Sequence, residues 1–135
     1  MPSYSQQSRN NLETCHEDLQ IIFNHVIASF DNSIICGHRD EQDQNEAYLT
    51  GASTVTWPNS NHNALPSKAV DSAPWPIDWE DLPRFRYYAG YVMGIARMLY
   101  DRCEIDHQLR WGGDWDRDTL THDNTFNDLV HFELI

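Results

Sequence analysis

Four prolines, Pro58, Pro66, Pro74 and Pro76, fall among Ser, Asn and Asp residues between positions 51 and 80. Proline fixes φ and removes a backbone donor, so no long helix or central strand runs easily through such a segment. Regular structure there is expected to be brief, and a long connection inside a compact domain is usually functional or mobile. The chain is thus divided into two helix-rich stretches around a polar middle.

On the N-terminal side, Leu19, Ile22, Phe23, Val26, Ile27 and Phe30 recur at helical spacing, predicting one amphipathic helix over 12–30 with His16 and His25 off the stripe and solvated. The apolar run "SIIC" over 33–36 ends at Gly37 and predicts a buried strand. A short helix is expected over 40–49, closed by Gly51. On the C-terminal side a second helix opens near Pro83 and buries Phe85, Tyr88, Ala89, Val92, Ile95, Ala96 and Leu99, with Gly90 and Gly94 spaced for close packing. "QLRW" and "LVHFEL" read as strands, with the "GGDW" turn and a polar loop between them. Helices and short strands without regular alternation predict an α+β class with a small antiparallel sheet and packed helices.

At 135 residues the chain is read as one domain, 1–135. A net charge of -12, with only nine Lys and Arg and no basic cluster, excludes a polyanion-binding role, so no nucleic-acid partner is expected. No apolar run is long enough to cross a bilayer, and "MPSYSQQSRNN" lacks the order of a secretory signal, so no membrane anchor and synthesis in the cytoplasm are expected. Cys15, Cys36 and Cys103 have no paired spacing and are read as buried or half-buried thiols.

The chemistry-bearing residues are harder to choose, because the chain has seven histidines. His62 and Asp71 flank part of the proline-rich loop, and Asp71 follows the run "KAV", which places it at a strand end. Alternation in "DLVHFEL" puts Val130 and Phe132 on one face and Leu129, His131 and Glu133 on the other. Asp128 lies three residues before His131. Two imidazoles and a carboxylate are a common open set for catalytic zinc, and a further carboxylate suits a general base. The same residues also read as a loop histidine and an edge-strand histidine bonded to a neighbour. Trp111 is expected in the core, whereas Trp115 suits either core or a stacking surface. His38, His107, His122 and Asp114 are read as solvated or supporting residues. Asp114, Asp116, Asp118 and Asp123 do not have EF-hand spacing and read as a solvated acidic face.

Taken together, "SNHNALPSKAVD" over 60–71, "GHRDEQDQNEAY" over 37–48, "GAS" over 51–53, "WGGDW" over 111–115 and "DLVHFEL" over 128–134 resemble the zinc peptidases of bacterial cell-wall peptides. That group includes the D-alanyl-D-alanine dipeptidases and carboxypeptidases of vancomycin resistance and the phage L-alanyl-D-glutamate endolysins, which the chain resembles most. The resemblance implies a Hedgehog/D,D-peptidase-like fold, zinc held by His62, Asp71 and His131, and Asp128 as general base. It further implies that Arg39 faces the scissile carbonyl or a substrate carboxylate, that Ser60 supports the metal site, and that Gln44 stands where the family often has a glutamine. The eight residues between His62 and Asp71 form a longer spacer than the common motif, and "LPS" replaces its usual glycine.

The implied function is a peptidoglycan endolysin of phage type, a monomeric hydrolase cutting the L-alanyl-D-glutamate bond of wall stem peptides. The resemblance equally admits a D-alanyl-D-alanine carboxypeptidase or dipeptidase, and a non-catalytic zinc-containing wall-binding module is a third reading. An endolysin made in the cytoplasm would reach the wall after membrane permeabilisation.

Overall fold

The structure, a computed structural model, describes residues 2–122 and 127–135. The N-terminal apolar stripe is carried by two helices where the sequence predicts one: α1 spans Gln6–Glu13 and α2 spans Glu17–Ile27. The interruption is tertiary in origin. Ser67 pairs with the chain on both sides of Cys15, donating to the Thr14 carbonyl and accepting from the His16 N–H, each at 2.8 Å. His16 then restarts the helix, its Nδ1 accepting from the Asp18 N–H at 3.0 Å, so it caps α2 and is only half-exposed.

Strand β1 (Asn32–Cys36), helix α3 (Glu41–Thr50), a 3-10 turn (Asn61–Asn63) and strand β2 (Ala69–Pro74) follow. Helix α4 (Leu82–Asp101) has Asp81 as its cap and Pro83 in its first turn, where a missing N–H costs nothing. Strands β3 (Leu109–Gly112) and β4 (Asp128–Leu134) complete a four-stranded antiparallel sheet of order β1-β2-β4-β3. The fold is the expected α+β class, and β2 and β4 are its central strands.

One sheet face packs on the helices. Val70 of β2 and Trp111 of β3 both pair with Phe132 of β4, and all three are buried with Phe23, Val26, Tyr88, Val92 and Leu99. Phe23 and Phe132 meet edge to face with centroids 5.7 Å apart. Of the residues predicted to be buried on α4, Ile95 alone is half-exposed, at the rim of the core. Gly90 and Gly94 pack against nothing: a Cβ at either would meet open space, contrary to the expected close approach. Cys103 is exposed at the end of α4, whereas Cys15 is buried and Cys36 half-buried.

Because side chains alternate, the opposite face of the two central strands presents Asp71 beside His131, and Glu133 beside Ala69 and Arg110. Asp71 lies inside β2 rather than at a strand end, which fixes its backbone through pairing on both sides.

Candidate functional site

His62 reaches the site from the 3-10 turn, and Ser60 sets that turn. The Ser60 hydroxyl accepts from the His62 N–H at 3.2 Å, while its own N–H donates to Asn63 Oδ1 at 3.0 Å, a reciprocal cap. The imidazole Nδ1 donates to the Gly37 carbonyl at 2.8 Å, so in the neutral ring it is Nε2, facing the sheet, that carries the lone pair. On β4, His131 is fixed the other way round: Nε2 donates to Glu133 Oε1 at 2.7 Å and Nδ1 faces inward. Glu133 is held in turn by Arg110 at 2.6 Å and Asn61 at 3.0 Å.

The three inward atoms form a near-equilateral triangle. His62 Nε2 to His131 Nδ1, His62 Nε2 to Asp71 Oδ1, and His131 Nδ1 to Asp71 Oδ1 are each 3.3 Å. Two imidazole lone pairs and a carboxylate oxygen converging on one point repel one another unless a cation sits there. Asp71 Oδ1 is buried and has no hydrogen-bond donor, which costs free energy unless something positive satisfies it. Tetrahedral zinc with bonds of about 2.0–2.1 Å needs ligand atoms about 3.3–3.4 Å apart, so the triangle fits one open tetrahedral site. The carbonyl behind His62 and the carboxylate behind His131 are the supports metal-binding histidines normally have.

The electrostatics agree with a cation-seeking pocket. Burial opposes the charged form of His62, yet Asp71 and Cys36 raise its pKa to about 10. His131 is likewise raised, against burial, by Asp71 and Glu133. Burial also opposes ionisation of Asp71, but His131 and His62 hold it well below the usual carboxylate range. Without a metal, protons stand in for it, and metal binding must displace them.

Arg39 and Asp128 share the cavity of about 320 Å³ above this triangle. Arg39 Nη2 lies 3.6 Å from Asp71 Oδ2, and its Nη1 donates to Gln44 Oε1 at 3.0 Å. Gln44 is fully buried on α3 and donates to Ser53 and the Val55 carbonyl, so its role is to hold the guanidinium in place. Burial and the charge of Asp71 raise the pKa of Asp128. Strict alternation would put Asp128 and His131 on opposite faces. The β4 register slips instead, so that Trp111 pairs with Phe132 while the adjacent Gly112 pairs with Asp128, and both side chains line the cavity. Leu129 consequently packs toward the core, not on the His131 face as alternation suggests. Gly112 is required there, because a Cβ would collide with the Asp128 carbonyl.

Trp115 is half-buried and borders the cavity, its ring 5.4 Å from that of His131 and 5.7 Å from the Arg110 guanidinium. Trp111 is the core anchor expected, bonded to the Leu129 carbonyl at 2.9 Å. Among the remaining histidines, His38 bonds the Ala64 carbonyl, His107 pairs with Asp18 at 2.7 Å rather than being solvated, and His25 and His122 are exposed. Asp114, Asp116 and Asp118 cluster near the surface, and Asp123 lies outside the described residues. Glu133, Arg110 and Asn61 went unassigned in the sequence. Glu133 was signalled by its place two residues from His131 on one strand face, whereas the Gly37 carbonyl leaves no side-chain trace.

The family model for phage L-alanyl-D-glutamate peptidases matches residues 2–135. The chain belongs to that family. It is a peptidoglycan peptidase, and its substrate class is wall peptide. Among solved structures, the L-Ala D-Glu endopeptidase ChiX of Serratia marcescens is similar, with a TM-score of 0.71 and 27% identity over 99% of this chain and 91% of that one. No curated protein sequence matches. Among the described residues, no helix is long and apolar enough to cross a membrane.

Proposed function

We propose that the chain is a zinc-dependent endopeptidase that hydrolyses the L-alanyl-D-glutamate bond of wall stem peptides. The observation that carries the metal is the 3.3 Å triangle of His62, Asp71 and His131 around a buried carboxylate oxygen with no donor. Zinc bound there would polarise the scissile carbonyl and acidify the attacking water.

The other roles belong to the chain itself. Asp128 accepts the proton of the attacking water and returns it to the leaving amine, and its raised pKa suits a group that must both take and give a proton. Arg39, locked by Gln44, faces the oxyanion with a fixed positive charge that needs no rearrangement as charge develops. Trp115 closes one side of the cleft. The choice of an internal bond over a terminal D-alanyl-D-alanine bond rests on the family and on the similarity to an endopeptidase. Delivery to the wall follows from membrane permeabilisation by a separate agent, and export without one would overturn that route.

The test is mass spectrometry of soluble products from purified peptidoglycan incubated with zinc-loaded protein, with Asp128→Ala alongside and zinc content measured for both. Stem fragments with a new glutamate N-terminus, lost by at least about 100-fold in a variant that retains zinc, are expected for a general base. Release of free D-alanine would assign the carboxypeptidase reading instead. Undiminished turnover by the variant would remove Asp128 from the mechanism, and bound zinc with no products would leave a wall-binding module.

A further inference from the structure

Asp128 borders a second groove, of about 350 Å³, whose lining includes none of His62, Asp71 and His131. Its walls are Trp79, Leu82, Phe85, Arg86 and Val130. Trp79 is 60% exposed, yet its ring is fixed by stacking on buried Phe85, with centroids 5.6 Å apart and the planes 22° from parallel. Leu82 adds a second exposed apolar surface. Fixed, exposed aromatic and aliphatic groups beside a cleft are a ready contact for a ligand's methylene frame.

Arg86 supplies the charge. It is exposed and makes no ion pair with any described residue, whereas Arg39, Arg97, Arg102 and Arg110 all pair with carboxylates. In a chain of net charge -12, a cation left unpaired beside the cleft favours an anionic ligand there.

The direction of the chemistry identifies which part of the substrate this is. On the reading of the chain as an L-alanyl-D-glutamate endopeptidase, Asp128 gives its proton to the leaving amine, which belongs to the D-glutamyl residue. Substrate beyond Asp128 is therefore the leaving fragment, a D-glutamyl residue joined through its side-chain carboxyl to a diamino acid. That fragment carries a free carboxylate on a flexible methylene frame.

We propose that Trp79, Leu82, Phe85 and Arg86 form the subsite for this leaving fragment, with Arg86 pairing a carboxylate of the diamino acid that follows D-glutamate and Trp79 covering the methylenes. The groove is a specificity element, reading the residue after D-glutamate, and it makes no contact with the metal triangle.

Two measurements test it on the 135-residue chain. The first compares kcat/KM for L-alanyl-γ-D-glutamyl-diaminopimelate with that for the L-alanyl-D-glutamate dipeptide and its muramyl-extended form, in wild type, Trp79→Ala and Arg86→Ala. The tripeptide-to-dipeptide ratio is expected to fall about tenfold in each variant, the order of one charge-assisted or aromatic contact. An equal loss on all substrates, no loss, or a loss confined to the muramyl substrate would overturn the assignment. The second measures binding of the free γ-D-glutamyl-diaminopimelate product by NMR, where the Trp79 indole N–H is expected to shift and Arg86→Ala to weaken binding about tenfold. Wild type that cleaves nothing but binds this fragment through Trp79 and Arg86 would sink the peptidase reading and keep the subsite. Cleavage with product binding insensitive to both variants would do the reverse.

Discussion

Glu133 shows how much of the site lies one bond behind the residues that face it. It is buried, and burial alone would raise its pKa, yet His131 and Arg110 bring it down to about 2. It is therefore an anion throughout the working range, holding His131 with Nδ1 directed inward. Glu133→Ala is expected to weaken zinc binding about 10–100-fold, the usual effect of removing such a support. Competition against a chromophoric chelator at neutral pH measures this, and an unchanged affinity would show that His131 is oriented by packing alone. Residues of this kind are only half legible in a sequence. Alternation placed Glu133 on the His131 face, but nothing local states that its partners Arg110 and Asn61 come from another strand and a distant turn. The three residues that converge, His62, Asp71 and His131, could be picked out because they fall in spaced blocks, and Gln44 was legible as a position before its bond to Arg39 was seen.

Elements differ in legibility according to what fixes them. Helix α4 was readable from its opening through its buried face because a single stripe of apolar residues and a proline in the first turn specify it locally. Helix α1 was not, since it buries only Ser8 and Leu12 and has no stripe to see. The break before α2 depends on Ser67, a residue far along the chain, so no local pattern marks it. Locally specified helices also reveal where they are suboptimal. Gly90 and Gly94 sit exposed inside α4, and a methyl at either would meet nothing within 4 Å. Gly94→Ala is expected to stabilise the protein by about 1 kcal/mol, through helix propensity and a less flexible unfolded chain. Urea denaturation checks it, and a loss of stability would mean that a side chain at this position is not accommodated in the folded protein.

At the scale of the whole molecule, the sheet separates its tasks: one face of β2 and β4 anchors the core, the other carries Asp71 and His131. The geometry of that second face depends on keeping β3 in register, and β3 is entered through a loop clamped by Asp18 of α2. Asp18 Oδ2 accepts from the N–H groups of Asp106 and His107 and from the His107 ring. Burial pushes the Asp18 carboxyl up, but the His107 ring and the two N–H groups outweigh it and hold the pKa below the ordinary 3.8. A carboxyl depressed in the folded state binds its proton more weakly there than in the unfolded chain. Its stabilisation is thus complete above about pH 4 and disappears as pH falls through the lower folded value. Asp18→Ala removes that contribution and strands two backbone donors, at an expected cost of about 1–3 kcal/mol at neutral pH. Measured by urea denaturation with metal chelated from both proteins, the gap between wild type and variant should narrow on acidification below pH 3.8. A gap that stays constant through that range would show that Asp18 acts by shape rather than by charge, and that the clamp on β3 does not depend on its ionisation.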